Sequence, residues 1–282
     1  PAWFCNLDLP AAQYSPMSAK TQNYETILVS DAAGVRTITL NRPDDLNAID
    51  DRVTKELQAE LKNVARDRTV RCLVLTGAGR GFCAGQDLKS VMKREGPFDF
   101  TAALRQRYNP IISALKALEI PTIAGINGVA AGAGWSLALA CDLRIAAKNA
   151  KFVGAFSKIG LIPDSGMTWT LPRLIGLAKA LEIAWTGDAI SADLALQFGL
   201  VNRLVEPEEL AKVTQEWAAT FAKSATKALG LTKRAMYAAM GQGLDEQLEY
   251  EAQLQGAAGR TKDYSEGVKA FIEKRAAEFI GE

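Results

Sequence analysis

Residues 120–152 read IPTIAGINGVAAGAGWSLALACDLRIAAKNAKF. From Ile120 to Cys141 no residue is charged, which meets the length of a membrane-spanning helix. The same run holds Pro121, Asn127 and the glycines Gly125, Gly128, Gly132 and Gly134. A lipid-facing helix does not accommodate all of these without protein neighbours. The pattern reads instead as a buried strand over 122–126, a turn of small residues, a helix over 129–140 and a second strand over 142–147. Strands alternating with helices imply an α/β architecture.

Working outward, the β-rich runs 26–30 and 36–41 flank Asp31-Ala-Ala-Gly34 and predict a hairpin. Between Asp50 and Asp67, Val53, Leu57, Leu61 and Val64 recur at helical spacing. RCLVLT (71–76) is a short apolar strand. A glycine-rich loop, 77–85, leads into a new helix start, and 101–118 forms an amphipathic helix. Beyond about Pro207 the pattern changes: 208–221, 223–240, 244–255 and 265–279 are helical, with no strand among them. The boundary falls near 205–209. A chain of 282 residues fits about two domains, or one large domain with an appendage. Residues 1–16, PAWFCNLDLPAAQYSP, have no basic start and no long apolar stretch, so they do not read as a signal peptide. Met17 resembles a natural beginning, and 1–16 are read as an appended remnant or extension.

Composition narrows the chemistry. Apolar residues at 48% and charged residues at 23% suit a soluble globular protein and are too apolar for disorder. Lys and Arg total 33 against 32 for Asp and Glu, so no global field is set up for nucleic acid or an anionic membrane. There is no histidine. That excludes Ser-His-Asp and Cys-His catalysis, His-ligated zinc and histidine acid/base work. Proton transfer must then rest on a carboxylate, Lys, Tyr, Cys or a bound water. Cys5, Cys72, Cys83 and Cys141 are widely spaced, with no C-x-x-C pair and no metal-site or disulfide pattern. With no N-x-S/T sequon either, a cytoplasmic location is expected.

Three motifs carry candidate chemistry. In GAGRGFCAGQDL (77–88) the glycine spacing fits no phosphate-loop pattern. It is either a plain strand-to-helix turn, or a place where Gly85 lets backbone approach a ligand and the Gln86 N–H points into a cavity. In NGVAAGAGWSLALACD (127–142) the small-residue turn precedes a helix whose first N–H groups attract negative charge. Two such turns face to face would form an oxyanion hole, although close helix packing accounts for the glycines and alanines equally well. In KIGLIPDSGMTW (158–169), Asp164 is either an N-cap or a lone acid/base carboxylate at the mouth of a loop.

Together with ITLNRPDDLNAI (38–49), LVLTGAGRGFCAGQDL (73–88), IGLIPDSGMTWTLPRLIG (159–176), TGDAISADLALQFGLVNRLV (186–205) and SEGVKAFIEKR (265–275), these stretches resemble the crotonase, or enoyl-CoA hydratase/isomerase, superfamily. The resemblance runs from about Asn23 to the C-terminus. It implies an α/β spiral of strand-strand-helix units over 17–206 that binds acyl-CoA, and a helical trimerisation region over 207–282. A homotrimer, or a hexamer made of two trimers, would follow. The implied substrate is an acyl-CoA thioester, with no metal and no cofactor beyond the coenzyme A moiety. By motif position the thioester carbonyl would lie between the N–H groups of Gln86 and Ala133, beside Gly132. Ala48, Ala84, Asp87 and Leu88 match segments that cradle the adenine side of CoA. Relatives often carry a basic residue where Asp44 and Asp45 stand, so Lys274 and Arg275, from a neighbouring subunit, are the candidates for the phosphates. Phe98, Phe100, Leu104 and Tyr108 line the acyl pocket or belong to the core.

The two glutamates that hydratases of the superfamily use to hold water correspond to Ser136 and Phe156. Neither residue moves a proton at neutral pH, so ordinary hydration is not expected. Asp164, in its Pro-Asp-Ser-Gly setting, resembles the catalytic acid of the superfamily's isomerases. AFSKIGLIPDSG (155–166) is especially similar to those acting on ring 1,2-epoxyphenylacetyl-CoA in phenylacetate breakdown. The expected function is therefore an acyl-CoA isomerase, on the ring epoxide or from 3-enoyl- to 2-enoyl-CoA. The alternatives are an enoyl-CoA hydratase and a non-catalytic acyl-CoA- or RNA-binding member. A hydrolytic dehalogenase would need a histidine where Asn109 stands.

Overall fold

The first two strands, β1 (Ile27–Ala32) and β2 (Val35–Leu40), pair antiparallel as the predicted hairpin. Ala33 and Gly34 both have positive φ, 51° and 77°, the two-residue turn whose twist matches the flanking strands. A computed structural model describes residues 24–92, 96 and 98–282 of the chain, so the 1–16 extension lies outside the described residues. Helix α1 (Asp51–Arg66) starts at Asp50, whose carboxylate accepts the amides of Arg52 and Val53. It buries Val53, Leu57, Leu61 and Val64, the positions picked out by their spacing.

From β3 (Cys72–Gly77) to β8 (Lys151–Val153) the chain alternates between two sheets. β3, β5 (Thr122–Ile126), β7 (Leu143–Ala147) and β10 (Arg203–Val205) extend the hairpin into six strands, ordered β1-β2-β3-β5-β7-β10. β4 (Gly81–Cys83), β6 (Val129–Ala131), β8 (Lys151–Val153) and β9 (Ala189–Ser191) form the second sheet in that order. Three successive turns, β3-β4, β5-β6 and β7-β8, each give one strand to each sheet and are followed by helix. The α/β class is observed. The expected 77–85 loop contains β4, and the expected 129–140 helix is divided: β6 comes first, then Gly132, then α5 (Ala133–Ala140). Gly132 has φ 49° and ψ −126°, which no helix can pass through. Every residue of α5 is buried, which explains the uncharged stretch. No helix among the described residues is long and apolar enough to cross a membrane.

The single helix expected over 101–118 is three joined pieces after α2 (Leu88–Met92): α3 (Phe100–Ala103), a π-helical turn over Leu104–Tyr108, and α4 (Asn109–Ala117). Pro110 supplies the physical reason. It has no N–H to give the carbonyl of Gln106, and its ring crowds that carbonyl. The Gln58 amide of α1 takes over, donating to Gln106 O at 2.9 Å and Arg107 O at 3.0 Å.

After α6 (Met167–Ile175), α7 (Leu177–Thr186) and α8 (Ala192–Gln197), the tail is helical: α9 (Leu210–Ala222), α10 (Thr226–Ala239), α11 (Leu244–Ala258) and α12 (Lys262–Glu273). Leu73 and Leu75 of β3 face the main core, which also contains Phe82, Trp135 and Phe152. Cys72 and Val74 face the other way, onto Leu210, Ala218 and Ala222 of α9. One strand thus serves two cores by its period of two.

Between β2 and α1, Asn47 ties the layers together. It is buried, with φ 57°. Its side-chain amide donates to Ala78 O and Gly81 O at 2.9 and 2.8 Å, and its oxygen accepts the Arg42 N–H at 2.9 Å. Asn47→Ala leaves Ala78 O and the Arg42 N–H without these partners. The expected loss is about 2–3 kcal/mol of unfolding free energy, read from urea denaturation. A loss below about 0.5 kcal/mol would mean that Asn47 does not hold this loop.

Candidate active site

β4 and β6 are parallel neighbours, so the turns that follow them come side by side. Gly85, at φ 89°, follows β4, and Gly132 follows β6. A Cβ built on Gly85 would stand 2.7 Å from Ala131 O and 3.3 Å from Ala133 N. The turn after β4 is pinned on both sides of Gln86. Ile49 N donates to Gly85 O at 2.7 Å, and Asp87 N donates to Ile49 O at 2.9 Å. Among the described residues the Gln86 N–H has no acceptor. Ala133 is the first residue of α5, where an N–H has no intrahelical acceptor and the helix dipole favours negative charge. Gln86, Gly132 and Ala133 all line one cleft. Two fixed backbone donors at the ends of adjacent strands can hold an anionic oxygen.

Asp164 borders the same cleft. It opens a tight turn in which Ser165 and Gly166 have φ 51° and 81° and Met167 N donates to Asp164 O at 3.0 Å. The N-cap of α6 is Gly166, with no side-chain cap, so the capping role weighed for Asp164 is not the one it fills. Its carboxylate accepts a hydrogen bond from Ser165 Oγ at 2.9 Å. Burial pushes the Asp164 carboxyl above its ordinary pKa, and the Ser165 bond offsets part of that push.

Ser136 is buried in α5 and does not border the cleft. Its hydroxyl donates to Asp164 O at 3.0 Å, with Gly132 O farther away at 3.3 Å. A single hydroxyl proton serves the nearer acceptor. Ser136 therefore anchors the Asp164 turn to the helix that presents the Ala133 N–H. Phe156, buried, forms apolar wall.

The other expected binding residues divide into three groups. Ala84 and Leu88 line the cleft with Gly132, as do Phe98, Phe100, Leu104 and Tyr108. Ala48 and Asp87 belong to a knot around Arg42. Its guanidinium donates to Ala48 O at 2.6 Å and to the carboxylates of Asp45 and Asp87, each at 3.0 Å. Burial pushes the Asp87 carboxyl upward, but the Arg42 bond and the Ser90 amide outweigh it and hold the pKa below its ordinary value. Lys274, the C-cap of α12, does not line the cleft of its own chain. Arg275 is paired with Glu266 and Glu273. Sequence reasoning assigns Arg42 no role. The only signal for one is the crowd of aspartates, Asp44, Asp45, Asp50 and Asp87, around the Asn-Arg-Pro turn.

The family profile described as "Enoyl-CoA hydratase/isomerase" matches residues 30–282. The chain belongs to this family. It is 48% identical over 259 residues to "1,2-epoxyphenylacetyl-CoA isomerase" of Escherichia coli K12, spanning 91% of this chain and 99% of that one. It is also 36% identical over 264 residues to "Crotonyl-CoA hydratase" of Syntrophomonas wolfei, spanning 91% and 98%. The crystal structure of an enoyl-CoA hydratase from Bacillus anthracis matches with a TM-score of 0.86 at 35% identity, covering 92% of this chain and 100% of that one. The enoyl-CoA hydratase/isomerase family and these relatives mark the chain as an enzyme acting on CoA thioesters, and the crotonase fold is shared.

In this family member, Gly85→Ala tests the close approach of the two turns. The added methyl meets Ala131 O at a φ that side chains avoid. The strain moves the Gln86 N–H away from its partner donor. The expected result is a fall in kcat/KM of about 10²-fold or more on any acyl-CoA turned over. Unchanged turnover would show that the close backbone approach is not needed.

Proposed function

We propose that this enzyme is an acyl-CoA isomerase acting on ring 1,2-epoxyphenylacetyl-CoA or on 3-enoyl-CoA, with no cofactor beyond the coenzyme A moiety. The observation that carries the reading is the proton inventory of the cleft. Asp164 is the one carboxylate among its described lining residues, Phe156 is apolar wall, and the Ser136 hydroxyl is engaged by Asp164 O. Asp164 removes a proton near the thioester, and negative charge collects on the thioester oxygen between the N–H groups of Gln86 and Ala133. Those donors favour the enolate over the neutral thioester, which is the difference catalysis requires. Asp164 then returns the proton to another carbon. For the ring epoxide it lends a proton to the epoxide oxygen as a C–O bond opens and takes that proton back as the new bond of the isomer forms, so substrate and product hold the same atoms. A carboxyl with raised pKa suits both tasks, being the stronger base when ionised and more often protonated near neutrality. The similarity to the Escherichia coli isomerase supports the choice of acyl group. Similarity to hydratases supports hydration as the second reading. Hydration needs a water held by two proton-sharing groups, and this cleft supplies one.

The deciding experiment compares the ring epoxide, a 3-enoyl-CoA and crotonyl-CoA. Turnover of one of the first two is expected to exceed crotonyl-CoA hydration by about 100-fold or more. Efficient hydration without isomerisation would overturn the reading. Asp164→Asn should lower isomerisation about 10²–10⁴-fold. Its effect on stability has the opposite sign. Because the folded carboxyl sits above its unfolded pKa, ionising it costs stability. That cost is absent below the ordinary carboxylate range and complete once pH has passed the raised value. Asp164→Asn is therefore expected to melt higher than the parent at pH 8, with a smaller gain at pH 4.5, by thermal denaturation.

The same proposal includes self-association. The tail leaves Phe271 84% and Ile272 73% exposed, with Leu244, Leu248 and Met236 also open to solvent. Burying these between copies in a trimer or hexamer would bring Lys274, just beyond Glu273, toward a neighbour. Light scattering should give three or six times the 30.3 kDa chain mass. Phe271→Asp combined with Ile272→Asp should shift the population to smaller species. A concentration-independent parent monomer would contradict the assembly.

A further inference from the structure

Asp164, Gln86 and Tyr108 are the polar side chains among the described residues that line the cleft. Tyr108 has no part in the proton transfers described above. It is 7% exposed, and its hydroxyl has no hydrogen-bond partner among the described residues. Tyr108 lines the cleft, and its oxygen is not among the buried unpartnered side-chain atoms of the described residues. A phenylalanine would fill the same apolar wall, beside Phe98, Phe100 and Leu104, without a hydroxyl in need of a partner. Burial, reinforced by the Asp164 charge, keeps the phenol protonated, so it is a hydrogen-bond donor at neutral pH.

The backbone beneath Tyr108 is unusual and well held. Tyr108 closes the π-helical turn, and the two carbonyls before it, Gln106 O and Arg107 O, are taken by Gln58. Such turns are costly relative to a regular helix and recur at functional positions. Here the wide turn places Leu104 and Tyr108 on the cleft together.

We propose that Tyr108 is a specificity-determining residue that donates a hydrogen bond to an oxygen carried by the acyl group beyond the thioester, selecting oxygenated acyl chains, such as those with an epoxide or hydroxyl on a ring, over plain hydrocarbon ones. The proposal deepens the isomerase reading and rests on it for the seating of the thioester between Gln86 and Ala133. The donor is a neutral phenol in an apolar wall, where an oxygen acceptor replaces lost water and a hydrocarbon does not.

The test uses two unreactive thioesters, phenylacetyl-CoA and 2-hydroxyphenylacetyl-CoA, with the full chain and its Tyr108→Phe variant in isothermal calorimetry. The parent is expected to prefer the hydroxylated ligand about tenfold. In Tyr108→Phe, which keeps the ring and its packing, the preference should shrink to about twofold or less. In turnover, the ratio of kcat/KM for the ring epoxide to that for a 3-enoyl-CoA should fall about tenfold in the variant. No preference in the parent, or an equal preference in the variant, overturns the proposal. An equal loss on both substrates with a displaced pH profile also overturns it, because Tyr108 would then act by positioning Asp164. Binding needs no turnover, so absent isomerase activity with the ligand preference intact would reject the isomerase reading and leave the role of Tyr108 standing.

Discussion

Everything at the candidate site depends on one close approach: the turn after β4 lies against the turn after β6, with Gly85 too near Ala131 O to carry a side chain. Main-chain N–H groups are among the best donors for a developing charge because their direction is set by the fold and not by a rotamer. The same rigidity makes them expensive, since an N–H without an acceptor costs free energy when water is excluded. The surrounding residues offset that cost by over-determining the turn after β4. Ile49 bonds on both sides of Gln86, Asn47 bridges Ala78 and Gly81, and Arg42 gathers Ala48, Asp45 and Asp87. These groups act on the loop that carries the donor. Asp87, matched by motif to the adenine side of CoA, serves in the folded chain as a partner of Arg42 and of the Ser90 amide.

A buried hydroxyl joins the second half of the site to the first. Ser136 lies one turn into the helix that begins at Ala133, and it holds the carbonyl of Asp164. The donor helix and the carboxylate turn therefore cannot drift apart without breaking that bond. The hydroxyl at this position is thus satisfied from inside the protein. A partly buried carboxylate of raised pKa beside unpaired amides stores unfavourable energy at the place where a substrate would relieve it.

How much of this was legible in the sequence depended on length and on locality. β1, β2 and β3 have six residues each, and β5 and β7 have five, long enough for β-branched and apolar runs to stand out. β4, β6, β8, β9 and β10 have three residues each, too few for any period to register, so two of them were absorbed into a loop and a helix. Gln86, Ala133 and Asp164 were reachable because each lies in a local glycine or proline motif and in the ordered set of matches that carries the family resemblance. The Ser136 anchor was not, since it joins residues 28 apart whose proximity exists only after folding. The π turn was hidden for a related reason. The apolar pattern of 101–118 is that of an ordinary amphipathic helix, and Pro110 alone does not say how the chain will accommodate it or that Gln58 will supply the missing donor.

The π turn separates two properties that enzymes often have to change together. The paired amides belong to the ends of sheet strands, while much of the cleft wall belongs to a helical segment containing one irregular turn. Each residue in an α-helix rotates the chain by about 100°. Deleting one residue between Leu104 and Tyr108 would swing every preceding wall side chain around the axis at once, while leaving Gly85 and Gly132 where they are. A change in chain length at this one helix would thus reshape the cleft wall in a larger step than any single side-chain replacement, with the paired backbone donors left in place.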